Sequence, residues 1–224
     1  MRTLYYVPIM AVVAACDPDV EVSPAIVQWM EWPAEVAVAT PFTVRLLVPF
    51  PGCNRGAFKS GVSADESAVT FAPYFLVNSN GYCPPTGQAI DVPYWALDTV
   101  ATSPGLASSF ARSFEMRAAA SVYSPPPNPG YNDQPVRTFG EVTVRLAGPD
   151  LSRRNAAGFV NLIVDNTGCV RVQPVGYHQA DAGFILEDQA DTTGPVSAFV
   201  RGYIHEAATP VCGQTSVFHL VSRN

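Results

Sequence analysis

Apolar and polar residues alternate along much of the chain, and a period of two predicts β-strands. In residues 40–48 the apolar residues at 42, 44, 46 and 48 share one face of an extended chain, while Thr43 and Arg45 take the other. Successive side chains of a strand point to opposite faces, so this pattern indicates a strand with one buried face. The first part of the chain contains five further segments that we expect to be strands: 26–32, 35–38, 69–77, 114–123 and 139–146.

The second part of the chain has the same character, with shorter segments and frequent turn residues. We predict strands at residues 159–164, 168–174, 183–186, 197–205 and 215–222. The 21 prolines and 16 glycines break helices and favour turns between short strands. Gly148-Pro149-Asp150 and the polar residues that follow it show no strand pattern, which indicates a boundary between two domains. A proline-rich segment, 123–130, is expected to join two strands of one hairpin.

Two resemblances refine this into a fold class. Residues 40–46 (Thr-Pro-Phe-Thr-Val-Arg-Leu) resemble the early strands of bacterial immunoglobulin-like (Ig-like) domains. Residues 157–223 resemble small bacterial OB-like domains, through Gly168-Cys169, Leu186-Glu187, the Val200–Gly202 strand and the late Cys212. The resemblances imply an all-β chain with an Ig-like β-sandwich followed by a small OB-like β-barrel. We expect a signal peptide at 1–16, a tether at 17–24, the sandwich at 25–148, a linker at 149–156 and the barrel at 157–224.

The N-terminus has the layout of a secretory signal. Arg2 precedes an apolar stretch over residues 4–13, which is shorter than the roughly 20 residues of a spanning helix. The stretch ends in Val13-Ala14-Ala15-Cys16, which resembles the lipobox of bacterial lipoproteins. The resemblance implies that Cys16 is lipidated and anchors an exported protein in a bacterial membrane, facing the periplasm or the cell exterior. The alternatives are an ordinary signal peptide cleaved near Ala15 and an uncleaved anchor.

Five cysteines are present, and assigning Cys16 to lipid leaves an even number. Cys53, Cys83, Cys169 and Cys212 would then be in an oxidising compartment, where disulfides form. Three pairings can be drawn, and proximity in sequence favours Cys53–Cys83 and Cys169–Cys212. The alternative, a zinc site, lacks the CxxC or CxxH spacing that such sites use.

Charge and motifs exclude several classes of function. With 19 acidic and 13 basic residues, the net charge of −6 and the lack of a basic cluster disfavour a nucleic-acid partner. His178, His205 and His219 are the natural catalytic candidates, and His205-Glu206 forms a potential dyad near a strand end. No catalytic or cofactor motif accompanies them, so we assign no catalytic residue, no cofactor and no metal site. The acids at 181, 187, 188 and 191 lack EF-hand spacing and are expected to form a surface loop rather than a calcium site.

The sequence therefore predicts a membrane-anchored envelope lipoprotein that acts as a non-enzymatic binding or structural module. Its expected partners are the lipid membrane, through acylated Cys16, and a protein at the membrane surface, for example in a membrane protein complex with this chain as an accessory subunit. One alternative is a lipoprotein that binds a carbohydrate, a surface polymer or a small ligand. An enzyme that uses His205 and His219 is the weakest of the three.

Overall fold

The structure is a computed structural model that describes residues 20–38, 40, 42–50, 57–59, 61–65, 67–78, 92–100, 112–119, 136–145, 148–175, 183–190 and 197–224. These residues form strands and no helix. In chain order the strands are β1 (Val20–Pro24), β2 (Trp29–Pro33), β3 (Glu35–Ala37), β4 (Phe42–Phe50), β5 (Ala57–Lys59), β6 (Val62–Ala64), β7 (Ala68–Phe71), β8 (Tyr74–Asn78), β9 (Val92–Val100), β10 (Arg112–Ala119), β11 (Val136–Arg145), β12 (Arg153–Val164), β13 (Val170–Pro174), β14 (Phe184–Leu186), β15 (Ser197–Val211) and β16 (Gln214–Arg223).

The first module is a β-sandwich. One layer is a five-stranded sheet in the order β3-β11-β10-β7-β6, and the facing layer contains β2, β4 and β9. The alternation predicted for β4 is confirmed, because positions 42, 44, 46 and 48 are buried in the sandwich core while Thr43 is exposed. They pack with apolar side chains of the opposite sheet, including Phe71, Phe114, Met116 and Phe139.

The second module is a closed five-stranded barrel. Its strands follow one another in the order β12-β13-β14-β16-β15, and β15 pairs again with β12. β14 and β16 run parallel, and the other neighbours are antiparallel. This five-stranded closure is the OB-like arrangement, so the predicted fold class, all-β with a sandwich followed by a small barrel, is confirmed.

The two modules share one continuous sheet. β12 pairs with β15 on one side and with β2 of the sandwich on the other, from Arg154 opposite Pro33 to Gly158 opposite Trp29. Residues 153–156, which the sequence placed in the linker, are therefore the first part of β12. The modules are joined by backbone hydrogen bonds as well as by the chain itself.

The two tryptophans of β2 belong to different cores. Trp29 is fully buried in the barrel core, where it contacts the rings of Phe184 and Phe218. Trp32 is buried in the sandwich core and its indole Nε1 donates a hydrogen bond to the carbonyl oxygen of Glu141. Side chains three residues apart in a strand point to opposite faces, so β2 provides apolar side chains to both modules.

Close packing at the shared sheet depends on a glycine. Gly158 has a φ of +154°, and a Cβ built there would lie 2.1 Å from the carbonyl oxygen of Gln28 and 2.7 Å from the Cα of Trp29. Both atoms belong to the backbone, which cannot move aside as a side chain can. Glycine therefore allows β12 to approach the start of β2.

One predicted strand is wrong. Residues 69–77 were expected to form a single strand, but β7 lies in the five-stranded sheet and β8 in a separate three-stranded sheet, β1-β8-β5. The break falls at Ala72-Pro73, where proline lacks the N–H that would continue the pairing. The hairpin predicted around the proline-rich segment is confirmed by the antiparallel pairing of β10 with β11, while residues 123–130 themselves lie outside the described residues.

Candidate functional site

One of the two predicted disulfides is present. Cys169 precedes β13, and Cys212 lies in the turn between β15 and β16, with a Cα–Cα distance of 6.2 Å. The bond ties the turn after β12 to the tip of the β15–β16 hairpin. Cys16, Cys53 and Cys83 lie outside the described residues, so lipidation and the second disulfide remain predictions.

A carboxylate organises the turn that holds Cys169. Asp165 Oδ1 accepts hydrogen bonds from the backbone N–H groups of Thr167 (2.9 Å) and Cys169 (3.0 Å), and Arg171 Nε lies 2.8 Å from Oδ2. Together with the hydroxyl of Thr167, which donates to Oδ1, these donors hold the pKa of Asp165 far below its usual range. The ionised carboxylate of Asp165 thus fixes the turn between β12 and β13.

His205 and His219 come together at a different carboxylate from the one that the sequence indicated. His219 Nδ1 lies 2.7 Å, and His205 Nε2 3.2 Å, from Oε2 of Glu187, which directly follows β14. The proposed pairing of His205 with Glu206 is wrong, since adjacent residues of a strand point to opposite faces and Glu206 is exposed. His178 lies outside the described residues.

Two aromatic contacts extend this cluster across the barrel wall. Tyr203 stacks on His219, with ring centroids 4.6 Å apart and planes 20° apart. The guanidinium carbon of Arg153 lies 5.1 Å from the Tyr203 ring centroid, within the range of a cation–π contact. Because β15 lies between β12 and β16, these two neighbours reach Tyr203 from opposite sides. We call the set Arg153, Tyr203, His205, His219 and Glu187 the barrel face.

Hydrogen bonding keeps one member of this cluster, Glu187, in its charged form. The hydrogen bond from His219 lowers the pKa of Glu187, with a smaller contribution from His205, so the carboxylate stays ionised. His205 Nε2 is buried and makes no aligned hydrogen bond in the described part of the chain. The contact through Nδ1 orients the ring of His219 and leaves its Nε2 as the nitrogen that a ligand could meet.

The described residues show neither a nucleophile beside the histidines nor a group of metal ligands. Within the described ranges, no serine, threonine or cysteine side chain contacts either histidine, as a nucleophile activated by a base would require. Among them no group of three or more His, Cys, Asp or Glu residues is placed to hold a metal ion. Asp188, from the predicted acidic loop, is exposed and accepts a hydrogen bond from the N–H of Ala190; Asp181 and Asp191 lie outside the described residues.

A groove of about 300 Å³ borders the barrel face. It runs between β11 of the sandwich and the outer wall of the barrel, and Arg153, Arg201 and Tyr203 contribute to its lining. Arg201 spans the groove, since its Nε and Nη2 donate hydrogen bonds to the carbonyl oxygens of Phe139 (2.9 Å) and Thr138 (3.1 Å). These hydrogen bonds tie β15 of the barrel to β11 of the sandwich at the groove.

A second concave site, which sequence reasoning missed, lies on another side of the shared sheet. We call it the junction cleft; it has a volume of about 550 Å³ and is formed by β2, β3, the start of β4, residues 149–151 and the start of β12. Its floor contains Glu31, whose side chain is 1% exposed and lies between Arg45 and Arg154. One signal was visible in the sequence: Glu31 is a lone acid between Met30 and Trp32 in a predicted strand.

Comparison with protein-family models, with curated proteins and with solved structures gives no match for the chain. Within the described ranges, no helix has the length and apolar character needed to cross a membrane. The barrel face and the junction cleft are the candidate sites in the described part of the chain.

Proposed function

We propose that this chain is a lipid-anchored lipoprotein of a bacterial envelope whose ectodomain binds a protein partner without catalysing a reaction. The lipobox-like segment that ends at Cys16 supports the anchor. The disulfide between Cys169 and Cys212 supports folding in an oxidising compartment. The observation on which the binding role depends is the row of side chains Arg153, Tyr203, His219 and Glu187, which crosses β12, β15 and β16 and ends just after β14.

The composition of the barrel face favours a protein partner. Tyrosine and arginine are enriched among the residues that contribute most to protein–protein binding. Tyr203 is half-buried between Arg153 and His219, and the bordering groove provides a recess for an anchoring side chain of the partner. Arg153 and Glu187 flank the stacked rings of Tyr203 and His219 with charged groups.

The barrel face is also rigid before any partner binds. Glu187 fixes the ring of His219, which in turn stacks on Tyr203, so these side chains lose little conformational freedom on binding. The disulfide ties two turns of the barrel together, and β12 joins the barrel to the sandwich. A preorganised surface of this kind suits a subunit that holds another protein at a membrane.

Capture from membranes tests the binding role. The full-length tagged protein, purified in gentle detergents from crosslinked membranes of the source bacterium, should recover a protein partner in stoichiometric amount. Tyr203→Ala should weaken that interaction by about 30-fold or more, the effect of losing one dominant interface residue. The matched control is Val164→Ala, which truncates a 60% exposed side chain at the far end of β12. Recovery of a free monomer in every detergent, or equal capture by Tyr203→Ala and wild type, would refute the proposal.

A separate measurement tests the anchor. Wild-type protein should enter the detergent-rich phase of a temperature-induced phase separation, and Cys16→Ser should remain in the aqueous phase because it lacks the acyl chains. Incorporation of labelled fatty acid into wild type but not into Cys16→Ser gives an independent readout. Equal partitioning of the two proteins would contradict lipidation at Cys16.

A further inference from the structure

Three arginine side chains form a row along the outer wall of the barrel where it faces the sandwich. Phe199, Arg201 and Tyr203 are alternate residues of β15, so they share one face of the strand and follow one another at intervals of about 7 Å. The guanidinium carbon of Arg137, from β11, lies 4.9 Å from the ring centroid of Phe199. That of Arg153, from β12, lies 5.1 Å from the ring centroid of Tyr203. We call Arg137, Arg201 and Arg153, in this order, the arginine row.

Arg137, at one end of the row, is a half-buried cation that makes no hydrogen bond or ion pair in the described part of the chain. Its guanidinium carbon lies 4.4 Å from the ring centroid of Phe159 as well as above Phe199. Within the described ranges its charged neighbour is Arg201, and burial together with this second positive charge lowers the pKa of Arg137. The two cation–π contacts offset part of the cost of burying the charge, but they use none of its N–H donors. Those donors are available to an anionic group of another molecule.

The acidic side chains around the row lie toward its Arg153 end. Glu141 lines the groove, and its carbonyl oxygen accepts a hydrogen bond from Asn155, two residues from Arg153. Asp150 interacts electrostatically with Arg153, and Glu187 contacts the two histidines of the barrel face. Among the described residues, the other two arginines of the row therefore have no acidic side chain at ion-pair distance. Positive charge is concentrated at the end of the row that lies farthest from the histidines.

We infer that the protein partner presents an extended acidic segment to the arginine row, with carboxylates on alternate residues; this inference rests on the binding role proposed above. Alternate side chains of an extended segment share one face and lie about 7 Å apart, which matches the interval along β15. The guanidinium group of Arg137 is planar and keeps paired N–H donors that fit the two oxygens of a carboxylate. Arg201 already donates through Nε and Nη2 to carbonyl oxygens of the sandwich. The row thus offers separate contacts along a line rather than donors that converge on a single phosphate.

Binding measurements with matched peptides test the chemistry. Fluorescence anisotropy would follow a dye-labelled peptide with glutamate at three alternate positions and serine between them, titrated with full-length protein in non-ionic detergent. It should bind about tenfold more tightly or better than the same peptide with glutamine, the difference expected for hydrogen bonds to a charged group. Non-specific attraction does not favour the acidic peptide, because the chain has a net charge of −6. A peptide with its three glutamates adjacent should bind more weakly than the alternating one, and equal affinity of the two would overturn the extended alignment.

Variants of the arginines test the location. Arg137→Gln should weaken binding of the alternating glutamate peptide by about tenfold or more. Arg117→Gln is the matched control, because Arg117 lies on the adjacent strand β10 but is paired with Glu115. If Arg137→Gln fails to fold, Arg153→Gln at the exposed end of the row should show the same loss. Unchanged affinity in the arginine variants, or displacement of the peptide by inorganic phosphate at lower concentration than by unlabelled glutamate peptide, would overturn the inference.

Capture from membranes separates this inference from the proposed function. Partner recovery that depends on Tyr203 but is unaffected by Arg137→Gln would retain the binding role and overturn the acidic segment. Peptide binding that is lost in Arg137→Gln, with no partner recovered in any detergent, would support the chemistry of the arginine row and refute the proposed function.

Discussion

Replacing Gly158 with alanine tests the contact between β12 and β2 that joins the two modules. The added Cβ would meet the Gln28 carbonyl oxygen at 2.1 Å and the Trp29 Cα at 2.7 Å, so one of the two strands must shift. Forcing an extra methyl group into a packed region costs about 1–3 kcal/mol. The φ of +154° is unfavourable for any residue with a Cβ and costs about 1–3 kcal/mol more. We expect Gly158→Ala to lower the free energy of unfolding by about 2–6 kcal/mol, the sum of the two costs.

Gly168 is a control that distinguishes the cost of the steric contact from the cost of the backbone conformation. Gly168 also has a positive φ, +85°, but a Cβ there would have no atom within 4 Å. Gly168→Ala should therefore show only the conformational cost, about 1–2 kcal/mol. Equilibrium unfolding in urea, followed by tryptophan fluorescence, measures both variants, and Trp29 lies beside the altered contact. If Gly158→Ala is no less stable than Gly168→Ala, close contact between β12 and β2 is not what requires glycine at position 158.

Three further predictions concern the disulfide and two carboxylates. Reducing Cys169–Cys212, or replacing Cys212 with serine, should cost about 4 kcal/mol in the chain-entropy treatment, since the bond spans 43 residues; an unchanged urea midpoint in reductant would contradict this. Hydrogen bonds lower the pKa of Asp165 in the folded state. The ionised carboxylate therefore stabilises the fold at pH values above the unfolded-state pKa of about 4, and this stabilisation declines as the pH falls below that value. Asp165→Asn should thus be less stable than wild type at neutral pH, with the difference shrinking under acid; a constant difference in urea titrations at several pH values would contradict this. Burial raises the pKa of Glu31, so the stability of wild type relative to Glu31→Gln should fall as pH rises above about 4, and a rise instead would be the contrary result.

Local pattern located β4 and each strand of the barrel, but it missed the first half of β12 and the end of β15, and it did not predict surfaces that depend on both modules. Period two assigns residues 43, 45 and 47 of β4 to the outer face, and Thr43 is indeed exposed. Leu47 is fully buried, because the barrel covers that face of the sheet where Leu47 pairs with Trp29. A sequence pattern describes one strand and its own two faces, and it contains no information about a second module packed on the outer face.

The candidate sites were beyond sequence reasoning for a related reason. His219 and Glu187 are 32 residues apart, and the parallel pairing of β14 with β16 brings them together. Arg154 reaches Glu31 because β12 pairs with β2, two strands that the sequence assigned to separate domains. The Cys169–Cys212 disulfide could be predicted from the sequence because the chain has few cysteines. Charged residues are far more numerous, so proximity in sequence does not identify which of them form ion pairs.

The shared strand has a consequence for dissecting the protein into fragments. A barrel produced alone from residue 149 onward would lack β2, so the edge of β12 from Arg154 to Gly158 would lose its pairing partner. The same cut would remove Trp29 and leave a hole beside Phe184 and Phe218 in the barrel interior. An unpaired edge next to exposed apolar surface promotes self-association. The isolated barrel should therefore aggregate, and adding back a peptide that spans residues 25–38 should restore its solubility.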